Sequence, residues 1–296
     1  MRAAAIFGPG ASNKDLKPFQ QNPKVTWLLD SPTDSSEADA ILIFGGDGTI
    51  HRRLAQLVTM QLPVLIVPCG SGNDFARALN LRGVRDSLGA WGKFCSGGKN
   101  VWTIDLGVIT PSIAGQDAGE ATAPHGTGHY FCCVGGVGLD AEISRRANRL
   151  PRWLRARGGY ALSLLPALWK FAPIAVTISL PGIGNPPTLG NKSMMVTFAN
   201  APSYGGGMKI APRARLDDGQ LDICVVGHMN KLKLFCLFPT VYFGRHLKIP
   251  QVEYFQANRL RLETDEPQSV YADGEYVCRT PIDVSVAPST LRVIVP

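Results

Sequence analysis

Apolar residues in the first third of the chain fall in short blocks parted by glycine-rich turns. "AAAIF" (3–7) and "VTWLL" (25–29) read as strands, and "AILIF" (40–44) and "PVLIVP" (63–68) as buried strands. The last two are too uniformly apolar for a sheet with one wet face, which suits a parallel sheet covered on both sides. Between them Ile50, Leu54, Leu57 and Val58 repeat at helical spacing, and "FARAL" (75–79) opens another helix. This β-α-β-α order predicts a doubly wound parallel sheet. The link "DSPTDSSEADA" (30–40) is short for a full crossover, which takes about a dozen residues, so a turn or two of helix is the most it holds.

The pattern changes near residue 107. "PSIAGQDAGEATAPHGTGHY" (111–130), rich in Gly, Ala, Pro and Thr, reads as a flexible hairpin loop. Beyond it come many short strand candidates: "YFCCVGGVGL", "IAVTISL", "MMVTFAN", "LDICVVG", "RLRLET", "VYADGEYV", "IDVSVA" and "TLRVIVP". Turn residues separate most of them, which predicts an antiparallel sandwich or barrel. "ALSLLPALWKFAPIAVTISL" (161–180) has roughly the length of a membrane span. Lys170, Pro166 and Pro173 interrupt it, so it reads as a helix and then a strand in a core.

Bulk numbers add bounds. The 296 residues suffice for two domains, and 45% hydrophobic with 18% charged residues is a globular composition. A formal net charge of +7 and a pI near 9.1 favour anionic partners: phosphates, nucleic acid or an acidic membrane surface. No DNA- or RNA-binding motif accompanies the charge, so nucleic acid is not expected. The seven cysteines are odd in number and contain no Cys-x-x-Cys pair. They read as reduced, mostly buried thiols of a cytoplasmic protein, with no support for zinc. The N-terminal stretch lacks a long apolar run of the export type.

Two turns carry the candidate chemistry. A strand that ends in glycines and opens a helix presents backbone N–H groups that favour phosphate. "GGDGT" (Gly45, Gly46, Asp47, Gly48, Thr49) fits, with Thr49 as N-cap. No Gly-Lys-Ser/Thr follows, so it is not a Walker loop. Asp47 suits magnesium held beside phosphates, or else a local cap in a plain turn. "VPCGSGNDFARALN" (67–80) repeats the arrangement with Gly70, Ser71, Gly72, Asn73 and a second acid, Asp74. Two such turns on adjacent parallel strands would lie side by side at the carboxyl edge of the sheet, where ligands bind.

In chain order "GGDGT", "GSGNDFAR", "TIDLG" (103–107), "GVGLDAEI" (136–143), "YGGGMKIAPRARLDDGQLDI" (204–223) and "YADGEYV" (271–277) follow one another. Together they resemble the diacylglycerol kinase catalytic family, in its bacterial soluble branch, with sphingosine and ceramide kinases as relatives. The resemblance implies an α/β N-terminal nucleotide domain with a doubly wound parallel sheet (1–106) and an all-β sandwich C-terminal domain for the lipid substrate (107–287). It also implies a last strand (288–296) returning to the first domain, and an active site in the cleft between the two. It implies ATP and Mg2+ as cofactors. Asp47, Asp74 and Asp105 would lie in the ATP–magnesium region, with Glu275 as general base. Gly8 and Pro9 would join the glycine turns in holding nucleotide. The carboxylate of Asp218 and the carbonyls of Arg215 and Gln220 would hold a second, structural magnesium.

The chain departs from that pattern at Gly8, where Asn is expected, and at Ser71, where many bacterial members have Thr. His51 replaces a common Asn, and Arg213 stands where Asp is common. The stretch 143–160 carries Arg145, Arg146, Arg149, Arg152, Arg155 and Arg157 among Leu150, Trp153 and Leu154, which suits peripheral docking on an anionic membrane. The expected activity is transfer of the γ-phosphate of ATP to a lipid hydroxyl, most simply that of diacylglycerol, by a peripheral enzyme able to form a homodimer. Two other readings stand beside it: a soluble-metabolite kinase like the NAD kinases, which share "GGDGT", and a nucleotide-binding membrane protein without turnover.

Overall fold

The computed structural model describes residues 1–112, 128–150, 159–181 and 191–296. They divide into two compact units, Met1–Asp105 with Pro288–Pro296, and Leu106–Ala287. In the first, strands β1 (Arg2–Phe7), β2 (Thr26–Leu28), β3 (Ala40–Gly45) and β4 (Val64–Pro68) pair only in parallel, in the order β2-β1-β3-β4. Val293, near the end of β15 (Ile282–Ile294), pairs in parallel with Val64. Every residue of β3 is buried, as its unbroken apolar run requires of a strand covered on both faces.

Helices α1 (Asn13–Leu16), α2 (Asp47–His51), α3 (Leu54–Met60), α4 (Asp74–Ala78) and α5 (Val84–Cys95) connect or follow these strands. The helical repeat between β3 and β4 breaks at Arg52–Arg53 into α2 and α3, while Ile50, Leu54 and Leu57 stay buried. The short link before β3 holds one 3-10 turn, Ser35–Glu37, capped by the Asp34 carboxylate, so this crossover is trimmed. Helix α2 has Gly46 as N-cap, which corrects the assignment of Thr49: that residue lies inside the first turn, its amide donating to the Gly46 carbonyl.

In the second unit the pairings are antiparallel. They join part of β5 (Val101–Pro111) with β6 (His129–Phe131), and β7 (Val134–Gly138) with β9 (Asn191–Ala199) and β13 (Ser269–Ala272). Strand β9 also pairs with β8 (Ile174–Ser179) and β10 (Leu221–Gly227). The remaining strands are β11 (Val252–Ala257), beside β10; β12 (Arg259–Thr264), beside β8; and β14 (Glu275–Arg279), beside β13. Their inward residues, Phe131, Val196, Phe198, Ile223, Leu262 and Val284 among them, form one apolar core.

Helices α6 (Leu139–Arg149), α7 (Gly159–Lys170) and α8 (Lys231–Leu237) belong to the same unit, and 3-10 turns Phe238–Phe243 and Arg245–Lys248 continue from α8. The apolar stretch 161–180 thus divides between α7 and β8, and among the described residues no helix is long and apolar enough to cross a membrane. "IDVSVA" and "TLRVIVP" are one strand, β15, not two. Strand β11 and helix α8 have no counterpart in the sequence reading. The expected hairpin loop of 111–130 falls mostly in 113–127, outside the described residues.

Candidate active site

Strands β3 and β4 are parallel neighbours, with Gly45 opposite Pro68, so their two glycine turns emerge together. The turns touch backbone to backbone. A Cβ built on Gly70 would stand 2.5 Å from the Gly46 Cα, and one on Gly46 would stand 2.9 Å from the Gly70 Cα. Only glycine permits that approach. Gly8 is constrained in another way: a Cβ there would run into the Thr49 hydroxyl. Its amide donates to the Phe44 carbonyl at 2.8 Å, tying the end of β1 to β3. The departure at Gly8 is therefore matched to Thr49. Pro9 is exposed beside it, and Ser12 is the N-cap of α1, in a capping box with Asp15.

The acid between the glycines has a defined structural task. Asp47 Oδ2 accepts the amide of Asp74 at 3.1 Å, and Oδ1 that of Phe75 at 3.0 Å. It thus caps α4, and joins the second turn to the first across 27 residues. Asn73, in the left-handed region at φ 54°, turns its side chain back onto Gly70, accepting from its amide at 3.0 Å and donating to its carbonyl at 2.7 Å. Asp74 is buried and receives Arg77 Nη2 at 2.6 Å. A Cβ on Gly72 would meet Asp47 Oδ2 at 2.8 Å and Asp74 Oδ2 at 3.6 Å, so two carboxylates flank one point on the second turn.

The amides of Thr49 and Gly70 are engaged by Gly46 and Asn73, and those at the start of α4 by Asp47. That narrows the expected phosphate contacts. Among the described residues no hydrogen bond is recorded for the amides of Gly48, Ser71 and Gly72, and Ser71 is exposed. A backbone cradle with an exposed hydroxyl fits phosphate, and paired carboxylate oxygens fit a hard divalent cation. Asp105, also in this unit, is buried and accepts the Ser289 amide at 2.7 Å.

Glu275 lies in the second unit, as the first residue of β14 after a two-residue turn. Asp273 (φ 50°) and Gly274 (φ 83°) make that turn, in the left-handed conformation Asp-Gly supports. Two anchors fix it. Asp273 accepts the amides of Cys132 at 2.9 Å, Cys133 at 2.8 Å and Val134 at 3.3 Å. Asn148 of α6 donates to the Gly274 carbonyl at 2.6 Å. Asp273 has no role in the sequence reading. Its turn was legible as Asp-Gly between strands, but its partners lie 139 to 141 residues away.

The loop with Arg215, Asp218 and Gln220 is in the same unit. Asp218 Oδ1 accepts the Gln220 amide at 3.1 Å, and Arg215 reaches Asp217 at 3.3 Å. Gln256 Nε2 lies 3.5 Å from Asp218 and 3.3 Å from Asp222. Burial raises the Asp222 carboxyl above its ordinary value, against hydrogen bonds from Tyr254 and Gln256. The Arg213 guanidinium lies 5.8 Å from the Tyr254 ring, so a cation occupies this acidic neighbourhood. The donor set is oxygen only, which suits magnesium or calcium.

Among the described residues the second unit holds a polar and an apolar cavity. An open polar groove of about 700 Å³ is lined by charges of both signs, including Glu142, Arg145, Arg146, Lys170, Lys192 and Asp265. Glu142 accepts from Arg145 at 2.8 Å and Arg146 at 2.6 Å, and these partners, Arg145 first, hold its carboxyl below the usual range. Half of the arginines expected to dock on a membrane are Arg145, Arg146 and Arg149; Arg152, Arg155 and Arg157 lie outside the described residues. The second cavity, about 60 Å³, is apolar and lined by Leu164, Met195, Met208, Met229, Leu234 and the buried His246, among others.

Comparison with known proteins gives concordant matches. The family described as "Diacylglycerol kinase catalytic domain" matches residues 22–108, and "YegS C-terminal NAD kinase beta sandwich-like domain" matches 134–295. The diacylglycerol kinase of Mycobacterium tuberculosis is 33% identical over 260 residues, covering 87% of this chain and 77% of that one. A diacylglycerol kinase structure from Bacillus anthracis superposes with TM-score 0.69 at 18% identity, over 100% of this chain and 97% of that one. An NAD kinase from Archaeoglobus fulgidus, solved in complex with ATP, shares the fold with TM-score 0.56 at 13% identity, over 99% and 93%.

Proposed function

The chain belongs to the diacylglycerol kinase family of lipid kinases, and from that premise we propose that it transfers the γ-phosphate of ATP to a lipid hydroxyl, with diacylglycerol as acceptor and phosphatidic acid as product. The observation that carries the reading is the contact of the two glycine turns, with Asp47 and Asp74 flanking Gly72 at the carboxyl ends of neighbouring parallel strands. Phosphoryl transfer asks a protein mainly for positioning and charge neutralisation.

In this reading the amides of Gly48, Ser71 and Gly72 and the Ser71 hydroxyl hold the phosphates. Asp47 and Asp74 would hold magnesium, which when bound neutralises phosphate charge. Glu275 takes the proton of the attacking lipid hydroxyl, a contribution of about 10²–10⁴-fold. Asp273 and Asn148 hold the turn from which Glu275 projects. Asp218, with the carbonyls of Arg215 and Gln220, would hold a structural cation. The enzyme works peripherally, at an anionic membrane surface.

The test is product analysis after incubation with labelled ATP, magnesium and total bacterial lipid, with NAD as the competing acceptor. Label in phosphatidic acid is the expected result; label in NADP overturns the acceptor. Glu275→Gln should lower turnover about 10²–10⁴-fold while nucleotide binding persists, and unchanged turnover would remove Glu275 from its role.

A further inference from the structure

Nine large apolar side chains are exposed among the described residues, and five of them lie on α7, α8 and the turn that follows: Leu165, Trp169, Leu232, Phe235 and Phe243. Trp169 and Phe243 are each 72% exposed, and Leu232 67%. Exposed large apolar side chains gathered on neighbouring elements mark an interaction site. The elements adjoin. Lys231 Nζ donates to the Trp169 carbonyl at 2.7 Å, joining the start of α8 to the end of α7. Both helices turn their other faces into the same apolar cavity, through Leu164 on α7 and Leu234 and Leu237 on α8. The outward residues are therefore distinct from the inward ones: α7 buries Leu164, Ala167 and Leu168, and α8 half-buries Leu234 and Leu237.

Along α8 and the two turns after it the charge has one sign. Between residues 231 and 248 the sequence holds Lys231, Lys233, Arg245 and Lys248 and no acid, and Lys170 ends α7. Among the described residues no ion pair engages these cations. Lys233 meets only the neutral Gln251 side chain, and Arg245 lies 6.0 Å from the Phe243 ring. By contrast Arg145 and Arg146 of α6 are spent on Glu142. Aromatic and aliphatic side chains on the same elements as cations without an ion pair match the boundary of an anionic bilayer: the rings reach headgroup depth, and the ammonium groups meet lipid phosphate.

We propose that this face, Trp169, Leu232, Phe235 and Phe243 with Lys170, Lys233 and Lys248, is the surface by which the protein docks on anionic membranes. The assignment rests on the lipid-kinase reading for its purpose, not for its geometry. Docked this way, the apolar cavity lies directly behind the inserted helices. Its three methionines are unbranched and can shift to admit an acyl chain.

The test uses the full chain and vesicles of equimolar phosphatidylcholine and phosphatidylglycerol, read by co-sedimentation. Parent protein should bind, and salt should release it. Leu232→Ser with Phe235→Ser should lower partitioning at least about tenfold, since each side chain loses burial in the interface. Lys233→Gln and Lys248→Gln should each lower it about fivefold at low salt. These exposed substitutions preserve the fold, which near-ultraviolet circular dichroism checks if the apolar pair does not.

Turnover is measured on a dispersed short-chain diacylglycerol and on long-chain lipid in the vesicles. The docking variants should keep the first and lose the second. Unchanged vesicle binding in both sets of variants overturns the docking face while leaving the kinase reading intact. Binding that depends on the face, with no phosphorylation of either lipid, keeps the face and removes the kinase reading. Loss of a dimer without loss of vesicle binding makes the face a contact between copies and overturns the proposal.

Discussion

Replacing Asp47 separates two tasks that one carboxylate performs. Its oxygens accept the amides of Asp74 at 3.1 Å and Phe75 at 3.0 Å. A hydrogen bond to a charged group is worth about 1.5–3 kcal/mol, less where solvent reaches it, and a part-buried amide left without a partner costs about 1–3 kcal/mol. Asp47→Ala removes both acceptors, so the first unit should lose about 2–3 kcal/mol. Asp47→Asn keeps one acceptor oxygen and should lose about 1 kcal/mol. Urea unfolding measures this, with Trp27 and Trp91, packed 5.7 Å apart in the same unit, as reporters. With a slope of about 2 kcal/mol per molar, the alanine variant's midpoint should fall by about 1 M. Turnover supplies the second axis. If the charge is also needed for magnesium and nucleotide, Asp47→Asn should be nearly as inactive as Asp47→Ala while remaining much more stable. An alanine variant within about 0.5 kcal/mol of the parent would refute the capping argument. Full turnover in the asparagine variant would refute the second role.

Two further outcomes follow from the same geometry. Gly70→Ala places a methyl 2.5 Å from the Gly46 Cα, where only backbone could yield, so it should cost about 1–3 kcal/mol and weaken nucleotide binding about tenfold, measured by denaturant melts and calorimetry. His246 is buried, with Nε2 3.0 Å from the Ile210 carbonyl, and burial holds its pKa below the ordinary 6.5. The unfolded chain then takes the proton first, so stability should be full above pH 6.5 and fall as pH drops below it. His246→Gln, which can still donate to Ile210, should flatten that fall in thermal melts; parallel curves would exclude His246 as its source.

The parallel sheet was legible because β3 and β4 are apolar without interruption, which few other environments tolerate. The two glycine turns were legible for the same reason: each sits where such a strand ends. What local pattern could not supply was the register that makes the turns touch, because one residue of slip between β3 and β4 would part Gly46 from Gly70. Helix α8 was missed because its periodicity is mixed. Leu234 and Leu237 face the cavity while Leu232 and Phe235 face outward, so the segment shows no polar side. Strand β11 was missed because it is half exposed, with Glu253 and Gln256 among its apolar residues. The arginine run drew attention as a block of charge. Its pairing with Glu142 at spacings of three and four residues was readable in "EISRR", and it lowers the charge those residues can offer a membrane.

The motif acids share a trait that bears on how such motifs should be read. Asp47, Asp105 and Asp273 each belong to a Gly-Asp, Ile-Asp or Asp-Gly signature, and each accepts from the backbone of a segment distant in sequence: two amides of α4 for Asp47, the Ser289 amide for Asp105, those of residues 132–134 for Asp273. The separations are 27, 184 and 140 residues. An ionised carboxylate is the side chain best able to satisfy two or three amides at once, and here it adds a side-chain tie where strands are already paired: β7 with β13 for Asp273, β5 with β15 for Asp105, and the turns that leave β3 and β4 for Asp47. These acids therefore place the reactive elements as well as any cation. Glu275 illustrates the consequence. Its position is set by the residue two before it, whose carboxylate ties the hairpin to β7, and by Asn148 on the Gly274 carbonyl. A glutamate proposed as general base needs such placement, because the proton must be taken within hydrogen-bond reach. The order Asp-Gly-Glu supplies an anchor, a left-handed turn and the proposed base in three consecutive residues, so exchanging the two acids should disturb the hairpin as well as remove the carboxylate at 275.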